Sequence, residues 1–219
     1  MSDKGPNRIQ LIDALRGLSI ILVLGYHCGF DLYFFELIPE STLYNPLLDT
    51  LQPIFAGVFI LLAGISSRFS RDNLKRGLVM LACAAVVTGA TYVMGLPVWI
   101  GILHLLAAST LSFWALEKLG ATAVAIPFLA FLGFYFELGY WPAPAASADY
   151  FPFIPWMFLF FAGTYLGIPI KEGRFPRWFY EAKVPVLPAI GKRTLWIFML
   201  HQPVIYGTVW LIARFLDSA

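Results

Sequence analysis

Long runs of apolar residues, separated by short polar or Pro- and Gly-containing segments, dominate this chain of 219 residues. Seven runs stand out, at about 11–35, 47–66, 75–95, 98–116, 121–139, 151–169 and 191–215. Each is roughly 17–25 residues long, which is what a helix needs to cross a hydrocarbon core about 30 Å thick. The runs are continuous and do not alternate with a period of two, which argues against the strands of a membrane barrel. Only Gly95, Leu96 and Pro97 separate the third run from the fourth, a tight re-entry with turn chemistry. The pattern predicts an all-α, polytopic membrane protein: a bundle of about seven transmembrane helices forming one domain over residues 1–219.

Composition agrees. The chain is 59% hydrophobic and only 13% charged, about half the charged share of a soluble domain. No cleavable signal peptide is expected, because the first run is too long for an h-region and carries charges in its first turns. Cys28 and Cys83 both lie in apolar runs, where thiols behave as small hydrophobes, and no disulfide framework or CxxC metal motif is present. No Walker loop, GxGxxG or GxSxG occurs, and no metal and no nucleic-acid partner are expected.

The basic residues set an expected orientation. With the N-terminus in the cytoplasm, 14 of the 15 Lys and Arg residues fall on the inner side and only Arg214 lies outside. The positive-inside bias then predicts N-terminus in and C-terminus out. The linker from Lys171 to Ile190 is basic and contains proline; it is expected to be a cytoplasmic loop with a short interfacial helix around Trp178. WPAPAASADYFPFIPW, residues 141–156, is expected on the outer face as an aromatic belt or as a lip over a cavity. Two GxxxG pairs, Gly25 with Gly29 and Gly163 with Gly167, make the first and sixth runs candidates for close helix packing.

Ionisable groups inside the runs are the candidate chemistry. One such group costs roughly 2.5–3.5 kcal/mol on insertion scales and usually faces the protein interior. The first run carries four: Asp13, Arg16, His27 and Asp31. Asp13 and Arg16 are spaced i,i+3 for an intrahelical ion pair, and Asp31 stands at i+4 from His27, placed to orient its imidazole. All three histidines, His27, His104 and His201, lie in apolar runs. At 1.5 Å per residue, His27 stands about 24 Å from Leu11 and His201 about 15 Å from Gly191. That count puts His201 near the midplane and the other two in the outer half. Pro203 leaves a backbone carbonyl free one turn earlier, a break tolerated where a helix lines a cavity. Three chemistries remain open on these residues: acyl transfer, a transporter or proton pathway, and a haem held by two of the histidines.

The run RIQLIDALRGLSIILVLGYHCGFDLYFF, 8–35, resembles the opening of the heparan-α-glucosaminide N-acetyltransferase catalytic-domain family in its short bacterial form. FAGVFILLAGISSRFS (55–70), IGILHLLAAS (100–109), DYFPFIPWMFLFFAGTYLG (149–167) and GKRTLWIFMLHQPVIY (191–206) follow in family order. The D-x-x-RG opening and the closing G-x-x-[ST] with a late His are also similar to the wider transmembrane acyltransferases. The resemblance implies acyl transfer from cytosolic acetyl-CoA, as co-substrate, to a sugar or glycan acceptor reached from the far side of the bilayer. It implies Arg16 as part of the RG motif, and His27, oriented by Asp31, with His201 as the catalytic candidates. Arg8, Arg16, Lys192 and Arg193 are then candidates for the CoA phosphates; His104, Asp149, Trp156 and Gln202 are candidates for the acceptor. The lysosomal members carry a catalytic His in the segment after the first membrane helix of the domain. Here that segment, Glu36 to Asp49, contains none. Assembly with further copies of the chain is left open.

Overall fold

The computed structural model describes residues 8–95, 97–117 and 149–218. Nine helices carry the described chain: α1 (Gln10–Phe34), α2 (Glu40–Leu43), α3 (Pro46–Arg68), α4 (Asn73–Val93), α5 (Ile102–Leu116), α6 (Phe153–Lys171), α7 (Arg177–Glu181), α8 (Leu187–Gly191) and α9 (Thr194–Asp217). Among the described residues the only β pairing is an isolated bridge between Ile100 and Tyr150. α1, α3, α4 and α9 are long and apolar enough to cross a membrane, whereas α5 and the Trp156–Lys171 stretch of α6 are apolar but shorter. Six of the seven expected runs are therefore helical; the run at 121–139 lies outside the described residues. The first half of the 141–156 segment, residues 141–148, lies outside them as well. A short helix is present around Trp178, α7, with Trp178 exposed.

Contacts divide the chain into two compact units. The first comprises Met1–Phe59 with Pro176–Ala219, the second Ile60–Phe175.

The first unit is organised by a crossing of bare backbone. A Cβ at Gly17 would overlap the Leu187 carbonyl, and one at Gly191 would overlap the Asp13 carbonyl. Only glycine at both positions lets α1 and α8 touch backbone to backbone. The chain reaches this crossing through a strained turn: Val186 has φ +62° and ψ −61°, and the Leu187 N–H bonds back to the Pro185 carbonyl at 2.6 Å. A β-branched residue with positive φ is an outlier that its surroundings must hold in place. From the crossing α1 and α9 run side by side in the same direction, and just past the end of α1 Phe35 packs on Tyr206, midway along α9, with ring centroids 5.1 Å apart.

The expected role of the GxxxG pairs divides between the runs. Gly25 has nothing within 4 Å of a built Cβ and Gly29 only an ordinary contact with the Leu43 side chain, so neither makes a close crossing. The close approach of α1 comes from Gly17, eight residues earlier in a chain whose turn is 3.6 residues. In the second unit the expectation is met. A Cβ at Gly163 would overlap the Leu61 carbonyl, and one at Gly64 the Phe160 carbonyl, so α3 and α6 interlock over the buried rings of Phe113, Phe160 and Phe161.

The second unit also fastens the start of α5. The Ile102 N–H, an orphan donor at a helix N-terminus, bonds to the Asp149 carboxylate at 3.0 Å, and the Phe151 N–H to the Ile100 carbonyl at 2.7 Å. Burial pushes the Asp149 carboxyl up to about 6, partly offset by the Ile102 N–H. Between the ordinary carboxyl pKa of 3.8 and about 6 the folded chain holds a proton that the unfolded chain has released. The contribution of Asp149 to stability is therefore present below pH 4 and is lost as pH rises through about 6. Thermal unfolding of Asp149→Asn in detergent between pH 4 and pH 7 is expected to show a flatter pH dependence than the wild type; an identical slope would contradict this.

Candidate functional site

α1 and α9 bring four polar side chains together within the first unit. The crossing supplies the register. His27 lies ten residues beyond Gly17, and His201 ten residues beyond Gly191. At 1.5 Å per residue His27 stands about 15 Å along α1 from the crossing, and His201, reached through the Lys192–Arg193 joint and α9, meets it at that level. Their ring centroids are 4.9 Å apart with planes inclined by 60°. The unequal depths expected from sequence arose because one count began at Leu11, before the crossing, and the other at Gly191, on it.

His201 is 7% exposed, and its Nδ1 lies 2.5 Å from the backbone carbonyl oxygen of Phe198. A carbonyl only accepts, so Nδ1 carries the hydrogen; in the neutral ring the lone pair is therefore on Nε2. That Nε2 is buried and has no hydrogen-bond partner among the described residues. A buried acceptor without a partner is uncommon in a folded protein and needs a reason. His27 faces it and makes no hydrogen bond among the described residues; its neighbours are the rings of His201 and Tyr26.

Asp31, expected to orient His27, is bonded elsewhere. It is 2% exposed, and both of its carboxylate oxygens accept from Gln202 Nε2 at 3.0 Å. That bond ties α1 to α9 beside the histidine pair, one turn past His27 on α1 and one residue past His201 on α9. Since the Gln202 amide nitrogen is committed to Asp31, its Oε1 is left as an acceptor, buried and without a partner among the described residues. Two adjacent residues of α9 thus present unfilled acceptors.

At the crossing itself lies a second polar group. Asp13 is buried and ion-paired to Arg8, and Arg16 Nη1 stands 3.8 Å from the Asp13 carboxylate. Arg16 Nη2 donates to Thr194 Oγ1 at 2.6 Å, and that hydroxyl donates to the Gly191 carbonyl at 3.1 Å. The expected Asp13–Arg16 pair is present as a long contact, with Arg8 as the nearer partner. Lys192 and Arg193, at the joint of α8 and α9, are exposed.

The remaining sequence candidates belong to the second unit. His104 Nδ1 accepts from the Gly101 N–H at 3.2 Å; its Nε2 is 3.1 Å from Thr88 Oγ1, which donates to the Val98 carbonyl at 2.7 Å. Both nitrogens are taken up in fastening the start of α5. Asp149 caps that same helix, and Trp156 packs edge-on against Phe151 at 5.2 Å. Thr194 and the Gly17–Gly191 crossing are parts of the polar site that residue chemistry alone did not single out. Their signal was the RG and G-x-x-T spacing, which names the residues but not the contact.

The arrangement limits the chemistry. Two imidazoles bound to opposite faces of one iron, through metal–nitrogen bonds of about 2 Å, have ring centroids roughly 6 Å apart. At 4.9 Å the His27–His201 pair leaves no room for a porphyrin between the rings. No group of three or more His, Cys, Asp or Glu residues suited to a metal ion occurs among the described residues.

The family model described as heparan-alpha-glucosaminide N-acetyltransferase, catalytic, matches residues 8–203. The chain belongs to this family. The match begins at Arg8 and ends at Pro203, so it encloses the whole polar site of the first unit and both glycines of its crossing. No curated protein and no solved structure matches the chain. Family membership and the four apolar helices together fit a membrane acyltransferase.

Proposed function

We propose that this chain transfers an acetyl group from cytosolic acetyl-CoA to a sugar or glycan acceptor, with His201 Nε2 as the base. The observation that carries the proposal is that buried nitrogen, unpartnered among the described residues, on a ring whose centroid lies 4.9 Å from that of His27. A general base must hold a free lone pair within reach of the proton it removes, and a fixed tautomer keeps the lone pair in place. The acceptor N–H or O–H loses its proton to His201 Nε2 as its N or O bonds to the thioester carbon. The C–S bond then breaks, and the proton passes from the imidazolium to the departing sulfur, giving CoA and the acetylated acceptor. His27 lines the other side of the reacting centre. Asp31 and Gln202 hold α1 and α9 in register, and Gln202 Oε1 is placed to accept from the acceptor substrate.

The donor enters from the end that carries the crossing, which the positive-inside bias puts in the cytoplasm. Lys192 and Arg193 are the open cations for its phosphates. Arg8 and Arg16 shape the mouth through Asp13 and Thr194. The pantetheine arm then has to bridge the roughly 15 Å from the crossing to the histidines.

The test is CoA release from acetyl-CoA by the purified full chain, with and without amino sugars and oligosaccharides. Acceptor-dependent release of CoA, with one acetylated product per CoA, is the expected result. Uptake of solute or protons into proteoliposomes with no CoA released would instead assign the intramembrane histidines to transport.

A further inference from the structure

Arg68, the last residue of α3, is held in the second unit by three separate contacts. Its stem lies over Gly167 of α6, where an added Cβ would come within 2.8 Å of Arg68 Cγ. Its Nε donates to the Thr164 carbonyl at 2.8 Å. Its guanidinium lies over the ring of Phe113, 4.9 Å from the centroid. Thr164 and Phe113 are fully buried, so the contacts that aim the group are rigid. Gly167, half of a GxxxG pair, thus makes room chiefly for the Arg68 side chain, with the Ile65 carbonyl the next atom at 3.3 Å.

What remains of the guanidinium is its pair of terminal nitrogens. They have no hydrogen-bond partner and no paired carboxylate among the described residues. Glu117, one turn beyond Phe113, attracts Arg68 without forming an ion pair and is itself exposed. Neutralising the carbonyl end of α3 does not account for the open fork, because other cations already do so. Lys171 Nζ donates to the Arg68 carbonyl at 3.1 Å, and Arg76 donates to Ser67 Oγ at 3.2 Å and to the Ala63 carbonyl at 3.5 Å.

We propose that Arg68 is the receptor of an oxyanion site for a phosphate group, its two terminal nitrogens binding two phosphate oxygens. A planar fork aimed by packing is the geometry that recognises phosphate in a bidentate manner. The site stands where α3 and α6 end and α4 begins, at the edge of three apolar helices, with Arg71, Lys75 and Lys171 exposed around it. Phosphate groups reach such a level from two sources: the headgroup of an anionic lipid, and a soluble phosphate compound. The site lies on residues other than those proposed above for the CoA phosphates.

Native mass spectrometry of the purified full chain with phosphatidylglycerol, with phosphatidylcholine as control, and titration with CoA and with inorganic phosphate separate the sources. Wild type is expected to retain a phosphate-bearing ligand. Arg68→Gln is expected to weaken its binding at least about tenfold, with Arg68→Lys intermediate because it keeps the charge but not the fork. Loss confined to phosphatidylglycerol assigns a lipid headgroup, and loss confined to CoA or inorganic phosphate assigns a soluble one. Equal binding of every probe by wild type, Arg68→Lys and Arg68→Gln overturns the proposal. If Arg68→Gln does not remain monodisperse, the Arg68→Lys comparison alone decides, since that variant keeps the charge over Phe113.

Discussion

Replacing His201 with alanine is expected to lower acceptor-dependent CoA release by about 10²–10⁴-fold, the usual contribution of a positioned acid–base group. The size follows from the setting. The ring is 7% exposed, its Nδ1 is tied to the Phe198 carbonyl, and its Nε2 has no partner of its own to lose. Removing the ring therefore removes a free base and little of what holds α1 to α9, because the Asp31–Gln202 bond stays in place. The variant should remain monodisperse, with a thermal transition near that of the wild type. Turnover is the measurement, made beside His27→Ala. Full activity in His201→Ala together with none in His27→Ala would move the base to His27.

Substituting Gly191 with alanine is expected to have the largest effect on stability. Overpacking a core usually costs about 1–3 kcal/mol, because side chains can shift to relieve it. At Gly191 the new methyl group meets the Asp13 carbonyl and the Gly17 amide, which have no rotamers to change. The cost should therefore reach or exceed the upper end of that range, with Gly17→Ala similar. Gly25→Ala is the internal control: nothing lies within 4 Å of its Cβ, so replacing a helical glycine should be neutral or stabilising by up to about 1 kcal/mol. Thermal unfolding of the three variants in one detergent checks the contrast. A Gly191→Ala protein as stable as Gly25→Ala would mean that the crossing does not hold α1 against α8.

Apolar run length and continuity were enough to mark out α1, α3, α4 and α9, because a helix in lipid must satisfy its own backbone and therefore shows in the local pattern. The family was legible too, since its motifs are short and keep their order along the chain, and the match over 8–203 bears that out. Pairing across helices was not. His27 and Asp31 share a face of one helix by spacing, yet Asp31 bonds Gln202, 171 residues away. Gly25 and Gly29 carry the packing motif, yet the close approach is made at Gly17. A period of 3.6 residues says which side chains lie on one face, but not which element covers that face or at what height it arrives. The Gly17–Gly191 crossing supplies that height. By setting one zero for α1 and α9, it turns two isolated membrane histidines into a facing pair.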